Sequence, residues 1–231
     1  MKNEFTIKPI AHIYTDFPEK FGVPRQAGLA EGLEGRIVFE PEFRSKDALR
    51  ELDGFSHVWL IWQFSHCLDC EWSPTVRPPR LGGNRKVGVF ASRSPFRPNS
   101  LGLSCVKLEK IDFECKDAPV IFVSGIDTVS GTPIFDIKPY IPVADMKPDA
   151  KEGYTEFTKA HEIKVLYDDK LLSAMPKEKA SALLEVLRED PRPSYIDENG
   201  REYGLFFAGY NVKFVYSDNA LTITEIERLK Q

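Results

Sequence analysis

FSHVWLIWQF, residues 55–64, decides the fold class. Val58, Leu60 and Trp62 face one way and Trp59 and Ile61 the other, the period of two that side chains keep along a β-strand. Both faces are apolar, so the strand is expected to be buried on both sides. Outward from it, Ile7, Ile10 and Ile13 open a first strand and residues 36–40 form a second. Further strands are expected at 87–91, 101–111, 120–127 and 133–141, with Gly and Pro in the gaps. This many short strands predict a mainly β domain, closed as a barrel or folded over as a sheet. One short helix is expected over 45–52, with Ser45 as N-cap and Asp47 in its positive first turn.

Residues 142–153 follow neither helical nor strand periodicity and are rich in loop formers. They divide the chain into a β-barrel domain, 1–145, and a small C-terminal α+β domain, 154–231. Within the tail, residues 176–189 place Ala180, Leu183, Leu184 and Leu187 on one stripe of an amphipathic helix, entered at Pro176 and stopped by Pro191. Residues 204–217 and 220–227 read as a closing pair of strands.

The start of the 231-residue chain, MKNEFTIKPIAHIY, has charges and a proline where a signal peptide has an unbroken apolar core, and no run reaches the roughly 18 apolar residues of a membrane helix. A cytoplasmic protein is expected. Four cysteines are too few for a disulfide scaffold of this size. The net charge of −4 does not suggest a nucleic-acid binder, but the charge is unevenly distributed: Arg77, Arg80, Arg85, Lys86, Arg93 and Arg97 are interrupted by no Asp or Glu. That local positive field calls for an anionic partner or for acids elsewhere in the fold.

Arg77 and Arg97 each precede a proline, which pushes them toward extended backbone and stiffens the segment that carries them. Guanidinium forks suit carboxylate and phosphate oxygens, and Gly82–Gly83 lets backbone approach a ligand closely. In GTPIFDIKPYIP, residues 131–142, strand alternation sets Asp136, Lys138 and Tyr140 on one face and Phe135, Ile137 and Pro139 on the other. A carboxylate, an amine and a phenol in a row can accept a proton or orient a substrate, and can equally be an ion pair beside an exposed ring. Cys67 and Cys70, with His66 beside them, have the spacing of half a zinc or redox site; without a second pair no metal is expected. His12, His57, Trp59, Trp62 and Phe64 sit in apolar stretches and read as core. Glycine-rich dinucleotide turns, Walker loops and HExxH are absent from the sequence.

Taken together, FGVPRQAGL (21–29), VRPPRLGGN (76–84), GVFASRSPFRPNSLGLS (88–104), GIDTVSGTPIFDIKPYIP (125–142) and EDPRPSY (189–195) closely resemble the TrmO (YaeB or TsaA-like) family of S-adenosylmethionine-dependent tRNA methyltransferases, which use a non-Rossmann β-barrel. Ser92, Ser100 and Ser130 stand where the family usually has Thr, Pro and Asp. The resemblance implies methylation of N6 of N6-threonylcarbamoyladenosine at position 37 of threonine tRNA, and a homodimer. It also implies that the methyl donor sits among Gln26, Ala27, Gly28, Phe64, Ser65, His66, Arg93, Leu103, Asp127, Thr128, Val129 and Ser130. N6 of this base is a weak nucleophile, so alignment and a proton acceptor are needed. Asp136, Lys138 and Tyr140 are the candidates for that side. Arg77, Arg80, Arg97 and Asn99 are the candidates for the threonyl carboxylate and the anticodon phosphates. A non-catalytic barrel binding single-stranded RNA or another anion needs the arginines but not Asp136, Lys138 or Tyr140. A small-molecule methyltransferase on the same scaffold is a third reading.

Overall fold

The computed structural model describes residues 4–67, 70–78, 81, 85–158, 163–192 and 198–229. Along the chain come β1 (Ala11–Thr15), β2 (Glu34–Phe39), β3 (His57–Gln63), β4 (Thr75–Val76), β5 (Val87–Gly88), β6 (Leu101–Asp112), β7 (Val120–Ser124) and β8 (Thr132–Pro139). After α1 (Pro142–Asp145) follow β9 (Lys164–Leu166), α2 (Asp169–Leu172), α3 (Lys177–Arg188), β10 (Glu202–Phe207), β11 (Tyr210–Ser217) and β12 (Ala220–Arg228). The fold is mainly β, with a closed barrel in the order β1-β2-β7-β6-β3-β8. Every neighbouring pair is antiparallel, and β8 returns to pair with β1, so no barrel edge is left open. Among the described residues no helix is long and apolar enough to cross a membrane.

The alternation read in β3 holds, with a correction. Val58, Leu60 and Trp62 fill the barrel interior, whereas Trp59 and Ile61 are only half-buried on its outer surface. A barrel strand has one interior face, so two apolar faces did not mean two buried ones. Ile7 is exposed and β1 begins only at Ala11. The helix expected over 45–52 is replaced by two 3-10 turns, Asp47–Leu49 and Leu52–Gly54. Between them Glu51 takes φ 67°, a left-handed conformation that ends any right-handed helix, and Lys46 rather than Ser45 precedes the first turn. Residues 87–91 form two strand residues followed by a 3-10 turn, Val89–Ala91. The strand expected over 120–127 ends at Ser124, because Gly125 turns the chain out of the barrel with φ 71°.

β8 carries an irregularity that matters for function. Trp62 pairs with Ile134 and Ile61 with Asp136, so Phe135 is an extra residue bulged out of the ladder. Past the bulge, Asp136 and Lys138 lie beside the outward residues Ile61 and Trp59, while Ile137 and Pro139 lie beside the interior residues Leu60 and Val58.

The C-terminal sheet has the order β10-β11-β12-β9, with β9 parallel to β12. The single strand expected over 204–217 is a hairpin, turned at Ala208 and Gly209 with φ of 51° and 80°. Helix α3 matches the expected span and buries the expected stripe together with Ala182 and Val186. The tail packs directly on the barrel. Phe17 and Phe207, both fully buried, meet with ring centroids 5.2 Å apart, and each such burial stabilises by roughly 1.5–3 kcal/mol. Lys179 of α3 donates to Asp16 at 2.7 Å and to Glu34 at 3.0 Å, and Glu185 accepts from the Gly32 amide at 2.9 Å. Burial pulls the Lys179 ammonium down, but its two carboxylate partners outweigh that and raise its pKa.

Candidate active site

Three loops converge at the end of the barrel where β3 and β7 finish and β8 begins. The loop around Gln26–Gly28 is tied to β7's exit by the Gly28 amide, which donates to the Gly125 carbonyl at 2.9 Å. The Asp127–Ser130 loop is fixed from several sides. Thr15 Oγ1 donates to the Thr128 carbonyl at 3.1 Å, Thr132 Oγ1 to the Val129 carbonyl at 2.7 Å, and the Ser130 amide to the Phe17 carbonyl at 2.8 Å. The third loop follows β3. Its Phe64 amide donates to the Ser100 carbonyl at 3.0 Å, and the Phe64 ring packs edge-on against Trp62 at 4.4 Å. Ser65 is half-buried beside the exposed His66.

A polar relay runs from the barrel interior into this cluster. Trp62 Nε1 donates to Ser104 Oγ at 2.9 Å, and Ser104 Oγ donates to Asp127 Oδ1 at 2.6 Å. The indole can reach because Gly102 lies under it, where a Cβ would stand 2.3 Å from the ring. Burial raises the Asp127 pKa above its ordinary value of 3.8, partly offset by the Ser104 hydroxyl, the Ala27 amide and the charge of Arg93. Arg93 itself donates to Gln26 Oε1 at 2.7 Å, clasping the first loop to the arginine-rich segment. Thr128 is buried and its Oγ1 has no hydrogen-bond partner, an orphan that a ligand's polar atom would satisfy.

Among the cofactor candidates, Leu103 stands apart from this end cluster on the barrel's outer face, 54% exposed. There it connects with the other candidate set. Leu103 pairs with Ile61, and Ile61 with Asp136, so Leu103 and Asp136 are two strands apart on one surface, roughly 10 Å. Asp136 is bonded to Lys138 at 2.8 Å and accepts the Ile137 amide at 2.9 Å. The Tyr140 ring lies 5.9 Å from Trp59 and 6.2 Å from His57. The three residues therefore share a face, as the alternation required.

The arginine candidates separate. Arg77 and Asn99 are exposed, and Arg80 and Gly82–Gly83 lie outside the described residues. Arg97 is turned inward: its Nη1 donates to the Val89 carbonyl at 3.1 Å and the Ser92 carbonyl at 2.6 Å, bracing the 3-10 turn that precedes Arg93. Cys67 and Cys70 are joined by a disulfide, which the sequence reading did not expect. The Trp62–Ser104 relay was missed as well, since Trp62 read only as core; a serine within an apolar strand was the signal available.

Residues 12–146 match the family profile described as the tRNA-methyltransferase O N-terminal domain, and residues 159–229 match the TrmO C-terminal domain. The tRNA (adenine(37)-N6)-methyltransferase of Escherichia coli K12 is 38% identical over 233 residues, covering 97% of this chain and 99% of that protein. The human protein of the same name is 37% identical over 156 residues, 65% of this chain and 33% of the human one. A crystal structure of TrmO from Pseudomonas aeruginosa superposes with a TM-score of 0.77 at 31% identity, covering 97% of this chain and 99% of that one. By sequence over both parts and by fold over nearly its whole length, the chain belongs to the tRNA-methyltransferase O family.

Proposed function

We propose that this chain is an S-adenosylmethionine-dependent tRNA methyltransferase acting on N6 of N6-threonylcarbamoyladenosine at position 37 of threonine tRNA. The relatives' names supply the enzyme class and the base position. The observation in this chain that carries the reading is the Ser104–Asp127–Arg93–Gln26 cluster, with the orphaned Thr128 hydroxyl, at the mouth of a barrel. These groups fit the donor: a carboxylate and an amide for ribose hydroxyls and ammonium, and backbone at Ala27–Gly28 for the purine edge. Gln26–Gly28, Phe64–His66, Arg93, Leu103 and Asp127–Ser130 would hold it. When bound, S-adenosylmethionine supplies a methyl group on a cationic sulfur that leaves as a neutral thioether.

The chain's own work is to align N6 and remove its proton. In this reading Asp136 takes the proton, Lys138 holds its carboxylate in place and Tyr140 orients the base, while Arg77 and Asn99 meet the carboxylate and phosphates and Arg80 is a further candidate for that contact. Residues 1–145 form the catalytic domain and 154–231 an appended one. The enzyme works as a cytoplasmic homodimer, a reading supported by the family resemblance and by the apolar outer face around Ile61, Leu101 and Leu103. Nucleoside mass spectrometry of tRNA from a deletion strain tests the function. The threonylcarbamoyl nucleoside should lack one methyl group and regain it on incubation with the purified protein and S-adenosylmethionine; an unchanged nucleoside profile would overturn the reading.

A further inference from the structure

Trp72, Phe90 and Phe96 are 55%, 75% and 44% exposed, a cost that a chain with a filled core has no packing reason to bear. They are not on mobile-looking backbone. The Ser73 amide donates to the Phe96 carbonyl at 3.2 Å, and the Val89 amide donates to the Pro74 carbonyl at 3.0 Å. These bonds join the segments that carry all three rings. Arg97 locks the same knot through Val89 and Ser92, and its guanidinium carbon lies 5.7 Å from the Phe90 ring centre. Pro74, Pro95 and Pro98 stiffen it further.

From Trp72 to Leu108 the sequence holds no Asp or Glu, although the whole chain carries −4, and Arg77, Arg85 and Lys86 are exposed on this stretch. Exposed rings on stiff loops beside several cations, with Glu71 the acid next to Trp72, offer what unpaired nucleobases on a phosphate backbone require: flat apolar faces to stack on, and positive charge beside them. A duplex hides its base faces, so the partner is single-stranded.

We propose that Trp72, Phe90 and Phe96 form a stacking platform for the unpaired bases of the anticodon loop, a binding surface separate from the residues that hold the methyl donor. The proposal rests on the tRNA reading above. Stacking on a preset ring avoids the entropy of ordering a loop on binding, so each ring contributes directly to affinity.

The test measures binding of a synthetic threonine-tRNA anticodon stem-loop to wild type and to Trp72→Ala, Phe90→Ala, Phe96→Ala and Phe90→Tyr, at several salt concentrations. Each alanine variant should weaken binding about 5- to 100-fold. The salt slope should stay that of wild type, since a ring releases no counterions. Phe90→Tyr should retain most of the affinity, and S-adenosylhomocysteine binding and melting temperature should not change. Wild-type affinity in all three alanine variants overturns the platform while leaving the tRNA reading intact. Failure of wild type itself to bind the RNA overturns both. Conversion of a dimer to monomer in the variants, with RNA affinity per folded site unchanged, makes this a self-association surface and also overturns the platform.

Discussion

Ser104 Oγ stands 2.6 Å from Asp127 Oδ1 and donates a hydrogen bond to it, while its own lone pair accepts the Trp62 indole N–H. One buried serine therefore satisfies a carboxylate at the mouth and a ring N–H in the core. Ser104→Ala leaves both without that partner, a loss of about 1–3 kcal/mol. Denaturant unfolding should show the destabilisation, and calorimetry should show weaker S-adenosylhomocysteine binding at a temperature where the variant is fully folded.

The sign of the Asp127 shift gives a pH test. Its folded pKa is raised above the ordinary 3.8 by burial, so the folded state holds the proton more tightly than the unfolded chain does. Ionised Asp127 is then a stability cost at neutral pH that disappears as pH falls below about 3.8. Asp127→Asn should be more stable than wild type at pH 7, with the difference shrinking as pH is lowered through this window. Chemical denaturation at matched pH values checks it, and a variant less stable at neutral pH would contradict the desolvation argument.

Asp136 and Lys138 separate by rate and stability. Their side chains are 44% and 62% exposed, and an ion pair so solvated contributes at most about 1 kcal/mol. If Asp136 takes the N6 proton, Asp136→Asn should slow single-turnover methyl transfer by roughly 10²–10⁴-fold with little change in melting temperature. Lys138→Met should lower affinity along with rate. A normal single-turnover rate in Asp136→Asn would leave Tyr140 as the next candidate.

Arg77 and Arg97 are expected to behave as different kinds of residue. Arg77 is exposed, and Arg77→Ala should weaken tRNA binding and reduce the magnitude of its salt slope by about 1. Arg97 holds two backbone carbonyls, so Arg97→Ala should make the 89–97 segment sensitive to protease and weaken binding with a nearly unchanged slope. Both bonds leave one guanidinium nitrogen, Nη1, and a lysine ammonium also carries several donors on one nitrogen, so Arg97→Lys should recover part of the protease resistance.

The parts of the fold that were legible are those where a period ran unbroken: the inward residues of β3 and the buried stripe of α3. The helix over 45–52 failed because Glu51, an ordinary helix former, is forced to positive φ by the chain path, which local propensity does not record. The hairpin at Ala208–Gly209 was hidden because alanine is a poor advertisement for a left-handed turn within an apolar run. At the site, the loops that converge were legible through family motifs. The Ser104–Asp127 bond was not, since it joins residues 23 apart whose meeting depends on where β6 begins and β7 ends.

The bulge at Phe135 gives β8 a change of parity. Upstream of it the even-numbered residues Thr132 and Ile134 serve the interior; downstream the odd-numbered Ile137 and Pro139 do, leaving Asp136 and Lys138 for the surface. Were Phe135 drawn into the ladder opposite Ile61, Asp136 would stand opposite Leu60, a carboxylate in a sealed hydrocarbon interior. The outward placing of Asp136 and Lys138 therefore depends on residue 135 staying out of the ladder rather than on its being present, since without it residues 134, 136 and 137 would still meet Trp62, Ile61 and Leu60.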